Sequence, residues 1–272
     1  MTEDFSKYNG EGTVLRKAQK KMLEILVEVD KVCRKHNIMY WIDYGTLLGA
    51  IRHGGFVPWD DDMDICMLTE DYNRFQEIAP KELPSHLFLQ TEKSDPSSQV
   101  GIGNMRVRDD STLFIFGCEN FNNNDHKGVF IDIFQILPLP AMSHKSCRLI
   151  GRRIGFSYNF FKYNPALNFH NIICYFWYPI QYKLFKKIWK MIPKSKEKYS
   201  TTPEISGNSH ELKIQDLLPL QEIEFEGHRF FAPKDIDSRL RTVYGDYMKI
   251  PSKEQQRIHA KYIVTNILDA KI

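Results

Sequence analysis

The chain has 272 residues, enough for one large domain or one domain with a sizeable insertion. With 42% hydrophobic and 13% aromatic residues it can bury a substantial core, and 37 Lys and Arg against 34 Asp and Glu leave it near neutrality. That balance excludes a strongly basic nucleic-acid binder, so no nucleic-acid partner is expected.

Five cysteines (Cys33, Cys66, Cys118, Cys147, Cys174) are widely spread, with no C-x-x-C pair. This argues against a disulfide framework or a zinc site and suits a reducing cytoplasm. The N-terminal "MTEDFSKYNGEG" lacks the basic start and apolar centre of a secretory signal. No apolar run of about 18 residues marks a spanning helix, so a cytoplasmic location is expected.

In chain order, Leu15, Ala18, Met22, Leu26, Val29 and Cys33 recur at three- and four-residue steps and predict an amphipathic helix over 14–36. "IMYWID" reads as a strand, "YGT" as a turn and "TLLGAIRH" as a short helix broken by Gly54, Gly55 and Pro58. "DMDICML" reads as a second strand, followed by a helix over 70–79 with Thr69 as its N-cap. "LFLQT", "VGIGNMRVR", "TLFIF" and, most strongly, "GVFIDIF" are further strands, so helices and strands mix around one sheet. Residues 141 to 198 turn aromatic and basic and read mostly as helix. "EIEFEGHRFFAP" reads as a hairpin turning at "EG", and "KDIDSRLRTVYG" as a helix stopped by Gly245. The expected organisation is a catalytic core over 1–140, a helical subdomain or insertion over 141–215, and a hairpin and helices over 216–272 that complete the core.

The stretch "GGFVPWDDDMDICM" places Asp60, Asp61, Asp62 and Asp64 where a strand begins. Residues two apart on a strand share a face, so Asp62 and Asp64 project together, Asp60 joins them if the strand starts early, and Asp61 points away. Neighbouring carboxylates repel by roughly 4 kcal/mol at 4 Å and an effective dielectric near 20. A hard divalent cation would remove that conflict; a solvated acidic turn is the alternative, but the apolar frame "FVPW…ICML" disfavours it. An EF-hand is excluded because Ile65 stands where its loop needs Gly. Asp132, flanked by Ile131 and Ile133 in a strand pattern, is a third carboxylate that is costly to bury unless paired or metal-bound.

The block "YWIDYGTLLGAIRHGGFVPWDDDMDI" resembles the signature of the LicD family of phosphocholine transferases, which is related to the fukutin-related ribitol-phosphate transferases. The resemblance continues into "RVRDDST", "GVFIDIF", "FEGHRFFAP" and "VYGDYM" and is loose over the helical middle. It implies an α/β (α+β) fold of the nucleotidyltransferase-like kind, a mixed sheet flanked by helices with a helical insertion. It implies that Gly45 and Thr46 receive nucleotide phosphate, and that Asp62 and Asp64, joined by Asp132, hold Mg2+ (Mn2+ being the alternative), with Asp60 a weaker candidate. Arg106 and Arg108, on one strand face, occupy a place where the family carries basic residues near the nucleotide. Arg52 and His53 lie between the Thr46 helix and the acidic strand, where His53 either donates to phosphate or braces the turn.

The implied reaction moves phosphocholine from CDP-choline to a hydroxyl of a teichoic-acid or lipopolysaccharide type glycan, which a lipid carrier could bear, and releases CMP. Asp132 either completes the metal seat or draws the hydroxyl proton. Rival readings are a donor such as CDP-ribitol or CDP-glycerol, a D-x-D glycosyltransferase, and a catalytically idle binding protein. Aromatics near the signature (Tyr40, Trp41, Tyr44, Trp59) or further on (Phe114, Phe116, Phe121, Tyr158, Phe160, Phe161, Tyr163) could cage the choline ammonium, and sequence does not choose among them. Finally, Tyr178, Tyr182, Phe185, Trp189 and Ile192 oppose Lys183, Lys186, Lys187 and Lys190. An amphipathic basic helix over 178–198 follows, with Pro179 near its start. It either rests on the inner face of an anionic membrane or packs on its own domain with a solvated lysine face.

Overall fold

The computed structural model describes residues 4–98, 100–116, 123–162, 168–205 and 210–267. Cys118, Phe121 and Tyr163 lie outside them.

A short helix α1 (Ser6–Asn9) leads into α2 (Val14–Lys35), whose first turn is capped by Thr13 accepting from the Arg16 N–H. As the spacing predicts, Leu15, Ala18, Met22, Leu26, Val29 and Cys33 form its buried face. β1 (Trp41–Ile42), α3 (Tyr44–His53) and β2 (Asp64–Leu68) follow, then α4 (Thr69–Glu82), β3 (Leu87–Gln90), β4 (Asn104–Asp109), β5 (Leu113–Phe116) and β6 (Val129–Pro140). The helices α5 (His144–Lys162) and α6 (Phe169–Met191) pack against each other. The chain then forms β7 (Lys194–Thr201), β8 (Leu212–Lys213), α7 (Ile214–Leu217), the hairpin β9 (Gln221–Phe225) and β10 (His228–Ala232), α8 (Ile236–Tyr244) and β11 (Ala260–Val264).

The fold is mixed α/β. The main sheet runs β1–β2–β6–β4–β3, and the far half of β6 pairs with β7, which pairs with β8. β2 and β6 are parallel, and the other pairs are antiparallel. The period of two divides the sheet's faces. Ile65, Met67, Met105, Val107, Ile131 and Ile133 enter the main hydrophobic core, which α2 and α4 cover. Asp64, Arg106 and Asp132 belong to the other parity and mark the opposite face.

Several boundaries differ from the sequence expectation. α3 begins at Tyr44, so "YG" is its first turn and Asp43 its N-cap. The N-cap of α4 is Leu68; Thr69 is already helical and its hydroxyl donates to the Ile136 carbonyl at 3.1 Å. β2 starts at Asp64, leaving Asp60, Asp61 and Asp62 in the preceding loop. Pro179 sits well inside α6, which starts at Phe169 behind an Asn168 cap. Within 141–215, β7 returns to the main sheet, so the helical excursion is confined to α5 and α6.

The hairpin turn at Glu226 (φ 51°) and Gly227 (φ 77°) has both central residues left-handed, as a tight two-residue turn requires. Glu226 accepts from Arg16 through both carboxylate oxygens, at 2.8 and 2.7 Å, and from the Phe56 N–H at 3.2 Å. This mostly buried pair pins the hairpin to α2 and to the loop leaving α3. Replacing Glu226 with Ala leaves Arg16 only the longer contact to exposed Glu11 at 3.6 Å, and we expect a loss of about 2 kcal/mol in urea unfolding, with a smaller loss for Glu226→Gln.

Candidate active site

The register of the sheet builds the centre. Asp64 on β2 lies opposite Asp132 on β6, which lies opposite Arg106 on β4. One row across three strands therefore carries two carboxylates and a guanidinium. Arg106 closes on Asp132, its Nε donating to Oδ1 at 2.8 Å, and Asn104 Nδ2 donates to the same oxygen at 2.9 Å. The Arg106 guanidinium also stacks over Phe130 at 4.2 Å.

The loop before β2 brings the other carboxylates beside this row. Burial first, and then the Asp62 and Asp132 charges, hold the Asp64 carboxyl well above its usual range. Asp60 is likewise raised well above its usual range, by burial and then by Asp62. Burial raises Asp62 too, with a hydrogen bond to Asp60 opposing it. Three acids, each raised chiefly by burial, share this shielded pocket and would gain from a cation.

The start of α3 meets these acids directly. Thr46 is buried, and its hydroxyl oxygen accepts from the Asp64 N–H at 2.8 Å, fixing the entry into β2. A Cβ built on Gly45 would stand 2.5 Å from Asp60 Oδ2, so only glycine lets that carboxylate lie against the helix. Tyr44, just before it, holds a left-handed φ of 47°.

Sequence reasoning missed the groups that anchor this arrangement. Asp43 is fully buried, caps α3 through the Tyr44 N–H, accepts from Trp41 Nε1, and forms a two-point ion pair with buried Arg239 of α8. Arg239 also stacks on Tyr44 at 5.1 Å. Asp61 is fully buried and turned to β11, a direction set by its loop and not by strand parity, since β2 begins only at Asp64. It accepts from the His259 and Ala260 N–H groups at 2.7 and 2.6 Å and so ties β11 to the acidic loop. Tyr244, at the end of α8, lines the same cavity as Asp60 and Gly45; it is 42% exposed, and desolvation and then the Asp64 and Asp60 charges push its phenol up. The signal for Asp43 was present in "WIDYG", an N-cap Asp before a helix; nothing local announces Arg239 or Tyr244.

A cavity of about 420 Å³ opens beside Asp60, lined among others by Gly45, Arg52, Trp59, Tyr244 and Tyr247. Arg52 lines it while its guanidinium donates to the Tyr247 carbonyl at 2.8 Å and to His53 Nε2 at 3.0 Å. Burial and then that guanidinium push His53 down to about 4, so the ring is neutral at neutral pH. It packs edge-on to Phe5 and Trp59. Thus Asp60, Asp62, Asp64, Asp132, Gly45, Thr46, Arg52 and Arg106 form one neighbourhood, with His53 behind Arg52. Arg108 goes elsewhere: it is fully buried, donates to Gln90 Oε1 at 2.6 Å and to the Gly128 carbonyl at 2.9 Å, and has Phe130 against it. Of the aromatic candidates, Tyr40 and Trp41 are buried, and Phe114 and Phe116 pack with Phe130; Trp59 lines the cavity.

The carboxylate oxygens of this donor set suit a hard cation, and the buried Cys66 thiol lies against Asp43, its pKa pushed up by burial. Among the described residues no three His, Cys, Asp or Glu side chains are gathered closely enough to enclose an ion alone. Carboxylate oxygens are the ligands Mg2+ prefers, and it takes one or two of them and completes its shell with water and phosphate. Asp62 and Asp64 are the residues that could hold such an ion, with Asp132 adjacent.

Two glycines give contrasting outcomes. Gly45→Ala displaces only the Asp60 carboxylate, so we expect a near-wild-type melting temperature and at least about tenfold less turnover. Gly49→Ala drives a Cβ to 2.4 Å from the Gly55 carbonyl oxygen and 2.9 Å from the Val57 nitrogen, and we expect a drop of several degrees in melting temperature. Removing the counter-charge, Arg239→Ala, leaves Asp43 buried alone and should cost about 3–5 kcal/mol in denaturant unfolding.

Residues 37–148 match the family described as LicD/FKTN/FKRP, nucleotidyltransferase domain. The chain is 29% identical over 265 residues to the lipopolysaccharide cholinephosphotransferase LicD of Haemophilus influenzae, covering 90% of this chain and 95% of that protein. It is 45% identical over 69 residues to an uncharacterized protein of Rickettsia typhi, covering 24% of this chain and 22% of that one. It is 40% identical over 48 residues to human ribitol 5-phosphate transferase FKRP, covering 18% of this chain and 10% of that one. The segment that carries the Asp43 cap, the Gly45–Thr46 turn, the acidic loop and Asp132 is thus the part that matches the LicD/FKTN/FKRP nucleotidyltransferase domain, and the resemblance read from the sequence stands.

Proposed function

We propose that this protein is a metal-dependent phosphotransferase that moves phosphocholine from CDP-choline to a hydroxyl of a cell-surface glycan and releases CMP. Its character as a transferase follows from likeness to a cholinephosphotransferase over nearly its whole length. The observation that carries the reading is the Asp64–Asp132 register, which sets two carboxylates side by side next to the Gly45–Thr46 turn of α3.

The chain's own groups divide the work. The N-terminus of α3 favours an anion and receives the diphosphate beside the Asp60 carboxylate that Gly45 admits. Asp62 and Asp64 would hold Mg2+, or Mn2+ in its place. Bound there, the cation would neutralise charge on the diphosphate and on departing CMP. Arg106 and Asn104 fix the direction of the Asp132 carboxylate. From that position Asp132 either completes the seat or accepts the acceptor's hydroxyl proton. The acceptor oxygen bonds to the phosphorus that carries choline, and the phosphorus–oxygen bond to CMP breaks, with its electrons leaving on CMP. Arg52 lies at the cavity edge, where it can meet a phosphate oxygen. The acceptor, of the teichoic-acid or lipopolysaccharide type, is borne on a lipid, and the protein meets it at the cytoplasmic face of a membrane.

The short match to a ribitol 5-phosphate transferase supports a second donor, CDP-ribitol, at the same site. Incubating the purified chain with glycan acceptor and, in turn, CDP-choline, CDP-ribitol, CDP-glycerol and UDP-sugars separates these readings by CMP or UDP release. We expect CMP from CDP-choline, loss of activity in EDTA and recovery with Mg2+. Asp62→Asn and Asp64→Asn should each lower turnover at least about 100-fold with the melting temperature retained. Wild-type turnover in Asp62→Asn would sink the assignment, and release of UDP alone would favour a glycosyltransferase.

A further inference from the structure

The helical pair α5–α6 lies outside the catalytic site. Its inner side is as the sequence suggests: Tyr182, Phe185 and Trp189 pack on a small core with Leu139, Cys147 and Ile154. Its outer side carries more than the solvated lysine face expected of a domain-packed helix. Ile173, Phe176, Trp177, Ile180, Leu184 and Met191 follow helical steps along α6 and are all exposed, Phe176 at 77% and Met191 at 72%. A helix that is apolar on both its inner and outer stripes has an unmet partner.

The charge around that stripe says what the partner is. Between residues 144 and 191 the sequence has nine Lys and Arg and no Asp or Glu. Lys183, Lys187 and Lys190 are exposed along one flank of the stripe. On the other side, Lys145, Arg148, Arg152 and Arg153 of α5 line a groove of about 770 Å³ whose far wall is Tyr178 and Gln181 of α6. Trp177 Nε1 donates to Gln181 at 3.2 Å, which joins the groove wall to the apolar stripe. An apolar strip between two basic margins is complementary to a surface with an oily interior and an anionic rim. A second copy packed symmetrically through this face would set these same cations against one another. No described helix is long and apolar enough to cross a membrane, so the pair can only lie on one.

We propose that the α5–α6 pair is an interfacial docking surface for an anionic lipid bilayer. Trp177, Phe176, Ile180 and Leu184 enter the headgroup–acyl boundary, and the Lys145–Arg153 groove takes lipid phosphates. This surface differs from the 178–198 helix face read from the sequence, whose aromatics Tyr182, Phe185 and Trp189 face inward. It extends the lipid-borne acceptor reading, but its evidence is independent of the chemistry.

The test uses the full chain and vesicles, without donor. We expect co-sedimentation with phosphatidylglycerol-rich vesicles, little with pure phosphatidylcholine, and weakening as salt rises. Phe176→Ser/Ile180→Ser and, separately, Arg152→Glu/Arg153→Glu should each reduce partitioning at least about tenfold. The residues are exposed, so circular dichroism should not change. Trp41, Trp59 and Trp189 are buried, whereas Trp177 is 53% exposed. Vesicles should therefore shift tryptophan emission to the blue, and Trp177→Phe should remove the shift while keeping the binding. Indifference to anionic vesicles, or retention unmoved by both double variants, overturns the proposal and gives the face to a protein partner. A dimer in light scattering that Phe176→Ser/Ile180→Ser dissolves also overturns it. CMP release with no vesicle binding would leave phosphotransfer standing and sink only this inference, and the reverse result would do the opposite.

Discussion

The centre of this molecule depends on the pairing of β2 with β6. A parallel register that sets Asp64 beside Asp132 places like charges together in a partly buried site, and repulsion alone would push the strands out of line. The register holds because the other face of the same residues is an apolar layer. Ile65, Met67, Ile131 and Ile133 lie in the core beneath α2 and α4. A slip of β2 by one residue would turn Ile65 and Met67 toward the polar side. The hydrophobic layer thus imposes the electrostatic conflict, and Arg106 and Asn104 ease it from β4.

How legible this was from sequence depends on the range of each contact. Asp64 and Asp132 could be read because each interrupts an otherwise apolar strand. Gly45 and Thr46 could be read because a strand–turn–helix passage with small residues is a local pattern. Arg106 and Arg108 share a strand face, and sequence treats them alike. The structure separates them because Gln90 and the Gly128 carbonyl draw Arg108 into a buried network, while Asp132 faces Arg106. Arg239, His259 and Tyr244 stayed hidden because their partners in the acidic region lie nearly two hundred residues earlier in the chain. The mixed sheet, the hairpin at "EG" and the long first helix were all local and all present. The return of β7 to the sheet was masked by a lysine-rich strand with no apolar alternation.

The helical pair is joined to the catalytic sheet through a short connection before β4. The Ile102 N–H donates to the Tyr158 hydroxyl on α5 at 3.3 Å, and Thr202, just past β7, donates to the Ile102 carbonyl at 3.0 Å. The next residue, Gly103, has a left-handed φ of 76°, and a Cβ there would meet Thr202 at 2.2 Å. Its carbonyl accepts from the Gln135 N–H. Asn104 follows at once and reaches Asp132. A three-residue turn therefore connects the outer helices with a carboxylate of the centre, by contacts that leave little slack.

The Asp61 bonds to His259 and Ala260 have a consequence for biosynthesis. A ribosome releases the acidic loop long before it releases the backbone donors that hold Asp61, and the Arg239 that neutralises Asp43 also emerges late. Until then the nascent N-terminal half carries its aspartates without their tethers. The centre can take its final shape only after residue 260 has emerged, so a polypeptide interrupted before that point would own every aspartate of the centre and still lack the frame that orders them.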